Sequence, residues 1–197
     1  MPARSVVTCL GNPGLRYRLT WHNAGFWVTD ILAREYSLEL VNAGAFEISH
    51  LPRDRILARP TTYMNRSGKA VKALLEAVQA GPEHLLVVCD DVNLPLGRLR
   101  LRAEGSDGGH KGLRSLIGEL DTEDFARLRM GIGPLPPGAD LTEFVLQRIP
   151  EELEESASEM ACRAADCVRC VLYEGFRRAQ TEYNRWPLDE SSTDPPS

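Results

Sequence analysis

Short apolar runs alternate with helical patterns along this chain, and this alternation restricts its fold more than any other feature. Runs bounded by turn residues, as buried strands are, cover Val6–Leu10, Ile56–Ala58, Leu85–Cys89 and Leu128–Ile132. Apolar residues at helical spacing predict helices over Ala24–Tyr36, Gly68–Gln79, Lys111–Leu120 and Glu151–Asn184. Strands that alternate with helices form a central sheet that the helices cover. The pattern therefore predicts a single domain of the α/β class.

Two further strands follow from more local patterns. The segment Ala45–His50 is expected to pair with Arg55–Arg59, because the letters LPRD between them supply a turn. The segment Arg98–Arg102 alternates arginine and leucine, which is typical of a strand with one exposed face.

The length and composition indicate an ordinary globular protein. The 197 residues suit one domain, expected to cover residues 1–186, and the Pro-, Ser- and acid-rich residues 187–197 are typical of a disordered tail. No apolar run approaches the roughly 20 residues of a membrane span, and Met-Pro-Ala-Arg at the start leaves no room for a targeting peptide. We therefore expect a cytoplasmic protein with no membrane partner.

The cysteines predict neither disulfides nor a metal site. Their number, five, is odd, and their spacing follows no regular framework, so we expect reduced thiols. Cys167 and Cys170 form a lone C-x-x-C pair with no second pair to complete a zinc site.

The formal net charge of −5 argues against a nucleic-acid partner only while its distribution is ignored. Acidic residues concentrate in 151–159 and 189–194. Basic residues crowd the middle of the chain: Arg98, Arg100, Arg102, Lys111, Arg114, Arg127 and Arg129. The sequence is therefore compatible with a local basic face on a protein that is acidic as a whole.

Four polar clusters stand at predicted strand ends or turns. They are Asn12 with Tyr17 and His22, then residues 61–70 (TTYMNRSGKA), 89–97 (CDDVNLPLG) and 105–112 (GSDGGHKG). Each cluster alone has a plain structural explanation as a turn, a helix cap or a flexible loop. Together they indicate a ligand site, because the ligands of open α/β sheets gather at one edge, near the strand ends.

The motifs of several enzyme classes are missing. The chain has no G-x-S-x-G elbow and no P-loop, Ser67 lies at a helix start where capping explains it, and Cys89 lies inside a strand. The hydrolytic mechanism that stays open is a single general base that activates water. His22 is the best candidate, because imidazole titrates near neutral pH. A carboxylate such as Asp90 is expected to hold its second ring nitrogen.

The chain resembles the bacterial-type peptidyl-tRNA hydrolases in five motifs: GNPGLRYRLTWHNAGF, RPTTYMNRSGKAV, CDDVNLPLGRLRLR, GSDGGHKGLRSL and FARLRMGIG. The resemblance implies a monomeric domain with a mixed sheet surrounded by helices, and no metal or other cofactor. It also implies a reaction: hydrolysis of the ester between a peptide and the terminal ribose of tRNA, which recycles tRNA from stalled ribosomes.

The resemblance implies roles at matching positions. His22 would be the general base, Asp90 its partner, and Asn12 the residue that helps to distinguish blocked from free aminoacyl-tRNA. Contacts to the tRNA end and the peptide would come from the residues Tyr17, Tyr63 and Asn65. A basic clamp on the 5′-phosphate would fall on Arg102 and Arg129, whose guanidinium groups suit bidentate phosphate recognition.

Two positions depart from the family's pattern. Lys111 stands where the family usually has Asn, so a phosphate contact there is an equal alternative to positioning water or peptide. Asn93 stands where an acidic residue usually follows the catalytic Asp. A rival interpretation, from a different class, is an RNA-binding relative that keeps the fold and has lost or redirected catalysis, as in intron splicing.

Overall fold

A computed structural model of the protein describes residues 5–185, which contain seven strands and six α-helices. The strands are β1 (Val6–Cys9), β2 (Val41–Asn42), β3 (Phe46–Leu51), β4 (Arg55–Pro60), β5 (Leu85–Pro95), β6 (Leu99–Arg102) and β7 (Ala126–Gly133). The helices are α1 (Ala24–Glu35), α2 (Ser67–Val78), α3 (Lys111–Leu120), α4 (Leu141–Leu146), α5 (Glu154–Tyr173) and α6 (Phe176–Tyr183).

The strands form one mixed sheet in the order β2-β3-β4-β1-β5-β7-β6. β1 runs parallel to β4 and β5, and β5 runs parallel to β7, whereas β2, β3 and β6 pair antiparallel. The prediction of an α/β fold with a mixed sheet surrounded by helices is confirmed. Because parallel strands end at the same edge of a sheet, the polar segments that follow β1 and β4 come together with the polar part of β5.

Helices cover both faces of this sheet and make two hydrophobic cores. α1 and α5 pack on one face, and α2 and α3 pack on the other. β1 contributes to both cores, since Val7 and Cys9 point to the first and Val6 points to the second. A strand that is buried on both faces has a continuous apolar sequence, which explains the first run in the chain.

The prediction of a single helix over residues 151–184 is wrong. The segment contains a 3₁₀ turn at Glu151–Leu153 and then α5 and α6, which are separated at Gly175. The φ angle of Gly175 is 104°, a conformation that favours glycine and that no helix contains. The apolar periodicity on both sides of Gly175 has a similar phase, so the sequence pattern did not reveal the break.

Helix α6 covers the edge of the sheet. The Leu101 backbone N–H donates to Asn184 Oδ1 over 2.6 Å, and the side chains of Gln180 and Asn184 donate to the Leu101 carbonyl. These bonds satisfy backbone groups that an edge strand otherwise leaves open to another chain.

The other predicted elements agree within a few residues. The helix Lys111–Leu120 and the hairpin of β3 and β4 are confirmed. β5 continues past Cys89 to Pro95, because it stays paired with β7 through an irregularity between Asp91 and Pro95. α4 and β2 were not predicted, since elements this short carry no clear periodicity.

All five cysteines lie in the described part of the chain and are free thiols. Cys162 is exposed and the other four are buried, including Cys167 and Cys170 on α5. Burial raises the pKa of Cys9 to about 12, so its thiolate is scarcely populated at neutral pH. Between residues 5 and 185 no helix has the length and apolar character needed to cross a membrane. The predicted tail, 187–197, lies outside the described residues.

Candidate active site

A cleft with a cavity of about 280 Å³ opens at the edge of the sheet where β1 and β4 end. Its lining includes seven of the nine predicted site residues, namely Asn12, Tyr17, His22, Tyr63, Asn65, Asp90 and Lys111. The other two, Arg102 and Arg129, do not belong to the lining. Leu141, Val145 and Leu146 of α4 give the cleft an apolar wall.

His22 lies in a 3₁₀ turn, Trp21–Asn23, directly before α1. Its Nδ1 is 3.0 Å from Oδ1 and 3.1 Å from Oδ2 of Asp90. A carboxylate oxygen only accepts, so Nδ1 carries a proton, and the lone pair of the neutral ring is on Nε2. His22 lines the cleft, and this lone pair is therefore the group that can take a proton from a water molecule there.

Asp90 carries a negative charge although it is almost completely buried. Burial by itself would raise the pKa of Asp90, but the imidazoles of His22 and His110 act against it. The net effect holds the pKa of Asp90 well below its usual range. The ionised carboxylate can stabilise the positive charge that His22 acquires when it takes a proton.

His110 is a second imidazole on Asp90; it lies in the predicted polar cluster 105–112 but was not predicted as a site residue. Its Nε2 is 2.9 Å from Asp90 Oδ1, and its Nδ1 accepts the backbone N–H groups of Gly112 and Leu113, both at 3.1 Å. His110 is thus the N-cap of α3 as well as a partner of Asp90. The sequence signal for this role was the position of His110 directly before a predicted helix. That position is the N-cap, where a side chain can accept backbone N–H groups, although Ser, Thr, Asp and Asn are the usual residues there.

Asn12 is held by two other segments. Its backbone N–H donates to Asn23 Oδ1 over 2.8 Å, and Asn23 Nδ2 donates to the Asn12 carbonyl over 3.0 Å. Asn12 Oδ1 accepts the backbone N–H of Met64 at 2.9 Å. These contacts fix the orientation of the amide and leave the Nδ2 donor of Asn12 for the cleft that this residue lines.

Tyr17 and Tyr63 form an aromatic pair at the cleft. Their rings meet edge to face, with centroids 6.3 Å apart and an interplanar angle of 86°. Arg16 lies over the Tyr17 ring at 4.5 Å. Tyr63 is half exposed, and the neighbouring Asn65 is exposed as well. This side of the cleft offers aromatic faces and an amide to a ligand.

Arg129 is already engaged within the protein. Its Nη1 donates to Asp91 Oδ2 over 3.1 Å, and its Nη2 donates to the Ser106 carbonyl over 2.6 Å. Only 16% of its side chain is exposed. Any phosphate would compete with a buried carboxylate for this guanidinium group.

The register of β6 and β7 makes the two predicted clamp residues diagonal neighbours on one face of the sheet, not direct partners. Arg102 is exposed and lies opposite Arg127, whereas Arg100 lies opposite Arg129. Residues directly opposite in an antiparallel pair share a face of the sheet. Arg127 contributes nothing to a basic surface, because it is 1% exposed and donates to the carbonyls of residues 105, 106, 123 and 125.

The two positions that depart from the family's pattern both make contacts. Lys111 is the first residue of α3, and its Nζ donates to Thr142 Oγ1 of α4 over 3.0 Å. Asn93 Nδ2 donates to Asp91 Oδ1 and to the Gly108 carbonyl. An aspartate has no such donor, so Asn93 ties β5 to the loop that precedes His110 in a way the usual acidic residue does not.

One group in residues 5–185 has the composition of a metal site. The ligand atoms of His22, Asp90 and His110 lie within 4.8 Å of one another. Hydrogen bonds between these same atoms, and the two backbone N–H groups on His110, account for the arrangement as it stands.

Comparison with known proteins agrees with this geometry. The model of the peptidyl-tRNA hydrolase family matches residues 6–192. The chain belongs to the peptidyl-tRNA hydrolase family. The peptidyl-tRNA hydrolase of Gloeobacter violaceus is 44% identical over 181 residues, which cover 89% of this chain and 91% of that protein. That of Methylacidiphilum infernorum is 42% identical over 175 residues, which cover 88% and 94%.

A solved structure supports the same assignment. The crystal structure of the peptidyl-tRNA hydrolase from Acinetobacter baumannii superposes with a TM-score of 0.84 at 32% identity, covering 92% of this chain and 94% of that one. The expected enzyme class, a hydrolase of peptidyl-tRNA, is the one that this family's name gives. The rival interpretation of an RNA-binding relative with redirected catalysis is not supported by these comparisons.

Proposed function

We propose that this chain hydrolyses the ester between a peptide, or an N-blocked aminoacyl group, and the 3′-terminal ribose of tRNA, with His22 as general base. The observation that carries the proposal is the buried His22–Asp90 hydrogen bond of 3.0 Å at the cleft. It orients the ring, fixes the proton on Nδ1 and leaves Nε2 as the base.

In the proposed reaction, a cleft water gives a proton to His22 Nε2 while its oxygen bonds to the ester carbonyl carbon. The carbon–oxygen bond to the ribose then breaks, and the proton on Nε2 passes to the departing ribose oxygen. The products are a free peptide acid and tRNA. Asp90 stabilises the imidazolium that exists between the two proton transfers.

Asn12 is proposed to distinguish blocked from free aminoacyl groups. A peptidyl or N-blocked substrate has an amide carbonyl next to the ester, and Asn12 Nδ2 is a donor that suits it. A free aminoacyl ester carries an ammonium group there, which offers only donors. Burial of Asn12 and its bonds to Asn23 and Met64 support a fixed, selective donor.

The acceptor end of tRNA is proposed to enter past Tyr17 and Tyr63. Aromatic faces of this kind stack on unpaired bases, and each stacked base contributes about 1–3 kcal/mol. The Asn65 amide adds hydrogen bonds to the same strand or to the peptide. Lys111, at the positive end of α3, is proposed to contact a backbone phosphate.

Arg102 and Arg129 are proposed to clamp the 5′-phosphate, as the resemblance implies. The exposure of Arg102 favours this role. The Asp91 contact of Arg129 makes it the weaker member of the pair. We further propose that the protein acts as a cytoplasmic monomer: the family resemblance implies a monomer, and the proposed reaction uses no group from a second copy.

The proposal is tested by release of tRNA from purified N-acetylated aminoacyl-tRNA. We expect His22→Ala to lower the rate by about 10²–10⁴-fold, the usual contribution of a general base, while circular dichroism and tRNA binding stay unchanged. The matched control is His50→Ala, which removes an exposed histidine of β3 and should leave the rate unchanged. Near wild-type turnover by His22→Ala would show that another group is the base. A wild-type protein that binds N-acetylated aminoacyl-tRNA without hydrolysing its ester would favour the rival RNA-binding function.

A further inference from the structure

We infer that His110 is a positioning residue: the start of α3 locks it as the neutral Nε2–H tautomer, and in that form it fixes Asp90 for His22. The inference rests on the proposed function of His22 and Asp90. It adds a third member to their network, and one whose tautomer is set by a helix end.

The tautomer follows from the hydrogen bonds of the ring. The backbone N–H groups of Gly112 and Leu113 can only donate, so His110 Nδ1 must accept and cannot hold a proton. Nε2 then carries the proton and donates it to Asp90 Oδ1 over 2.9 Å. Protonation of Nδ1 would break both backbone contacts and place a positive charge at the positive end of a helix.

The same geometry prevents His110 from acting as a base. One ring nitrogen is occupied by the helix and the other donates to a carboxylate, so no lone pair faces the cleft. The rings of His22 and His110 have centroids 4.9 Å apart, and both side chains are 8% exposed. Two imidazoles so close together therefore differ in role because of what each Nδ1 contacts.

The carboxylate of Asp90 receives both hydrogen bonds. Oδ1 accepts from His22 Nδ1 and from His110 Nε2, and the side chain is 3% exposed. His110 thus restrains rotation of the Asp90 carboxylate. Its hydrogen bond also stabilises part of the negative charge of that carboxylate. Removal of the His110 donor should loosen the geometry and also leave more negative charge for His22.

The charged groups around this network come from several elements. The turn before α1 contributes His22, and α3 contributes His110 at its N-cap and Lys111. Asp91 follows Asp90 on β5 and is paired with Arg129 of β7, so these two charges offset each other.

Removal of the His110 donor should shift the acid limb of kcat/KM to higher pH. The reason is that an Asp90 carboxylate with one donor fewer stabilises the imidazolium of His22 more strongly.

Two substitutions separate positioning from helix capping. His110→Asn keeps a side-chain oxygen that can cap α3 but is too short to reach Asp90. His110→Gln can place an amide donor near the position of Nε2 but loses the cap. We expect His110→Asn to retain thermal stability, to lose about tenfold to a hundredfold in kcat/KM, and to shift the acid limb upward by about half a pH unit. His110→Gln should be less stable, more active than His110→Asn, and normal in its acid limb.

A purely structural role for His110 predicts the opposite order. Activity would then follow stability, with His110→Asn close to wild type, His110→Gln worse, and the acid limb unmoved in both. That result overturns the inference. His50→Asn is the control for substitution of a histidine away from the network.

A second measurement needs no activity. In ¹⁵N-histidine NMR of the free protein, the signals that are absent from His110→Asn identify His110 among the four histidines. We expect a ring that carries its proton on Nε2 and accepts hydrogen bonds at Nδ1. A proton on Nδ1 overturns the inference. Failure of the proposed function appears separately, as a wild-type protein that does not release tRNA.

Discussion

At the scale of single residues, the cleft depends on side chains that hold others in place. Asn12 and Asn23 are buried and exchange hydrogen bonds between backbone and side-chain groups, which closes the turn after β1. Asp90 is buried between His22 and His110 in the same way. The hydrogen bonds among these residues satisfy groups that are buried, and a buried polar group left without a partner costs about 1–3 kcal/mol. A change at any of them is therefore a change to the shape of the site.

The lowered pKa of Asp90 makes a prediction about stability. A group whose folded pKa lies below its unfolded value, about 3.9 for Asp, stabilises the folded state above that value and loses this contribution as the pH falls through the folded pKa. Asp90→Asn has no such group. The stability of the wild type relative to Asp90→Asn should thus decrease as the pH is lowered from about 5 to about 2.

Urea unfolding of both proteins at a series of pH values measures this difference directly. Asp107→Asn is a suitable comparison, because the pKa of Asp107 is also lowered, by its hydrogen bonds to Arg114 and Gly109, but this residue lies nearer the surface. The acid-dependent loss should be smaller there. A difference for Asp90→Asn that stays constant or grows on acidification would contradict the direction assigned to its pKa.

At the scale of elements, the site depends on how closely α2 and α3 pack. The Gly68 N–H donates to Ser115 Oγ over 3.0 Å, and a Cβ at position 68 would lie 2.0 Å from the Ser115 carbonyl oxygen. Glycine is therefore required where α2 touches α3. Since α3 begins with Lys111 and is capped by His110, this contact helps to set the position of His110 against Asp90.

We expect Gly68→Ala to push α3 away from α2, to cost about 1–3 kcal/mol of stability, and to lower kcat/KM. Gly118→Ala is the matched control in α3: an added Cβ there meets nothing within 4 Å, and alanine should stabilise the helix by up to about 1 kcal/mol. Thermal unfolding and initial rates on the same preparations provide the test. Wild-type stability and activity in Gly68→Ala would rule out this dependence of the site on helix packing.

At the scale of the whole molecule, the edge strand β6 presents two arginines on one face of the sheet. Leu99 and Leu101 of β6 point into the core shared with α5, so Arg100 and Arg102 point to the other face. The acid-rich segment 151–159 leads into α5 on the first face. A protein with a net charge of −5 can thus present cations on one face of its sheet.

These exposed cations, together with Lys111, predict how tRNA affinity depends on salt. Arg102→Ala and Lys111→Ala each remove one cation that is proposed to bind a phosphate. The plot of log affinity against log salt should therefore become less steep by about one unit in each variant. Arg129→Ala should in addition lower stability, because it leaves the buried Asp91 carboxylate without its guanidinium partner. Arg169→Ala is the control, since it removes a cation on α5 that is paired with Glu35.

Filter binding of tRNA at several salt concentrations gives the slopes. Equal slopes for wild type, Arg102→Ala and Lys111→Ala would place the phosphate contacts elsewhere. Arg100→Ala is then the next variant to examine, because Arg100 is the residue that lies opposite Arg129.

The sequence alone determined the layers of the fold and the outline of the site. Buried strands produce apolar runs and amphipathic helices produce a repeating spacing, and both signals lie in neighbouring residues. The polar clusters that follow β1 and β4, or lie on β5, could be predicted because each is also a run of neighbouring residues. They contain His22, Asp90 and Asn12. The break at Gly175 was not legible, because one glycine between two helices of similar phase leaves the periodicity intact.

Only the tertiary structure decided which of these residues touch. The role of His110 depends on a contact to Asp90 across 20 residues and on the start of α3. The engagement of Arg129 with Asp91, and the position of Arg102 opposite Arg127, depend on strand register. Spacing along a chain fixes the face on which a side chain lies. The partner it meets there is set by the pairing and packing of distant segments, and no local pattern records that choice.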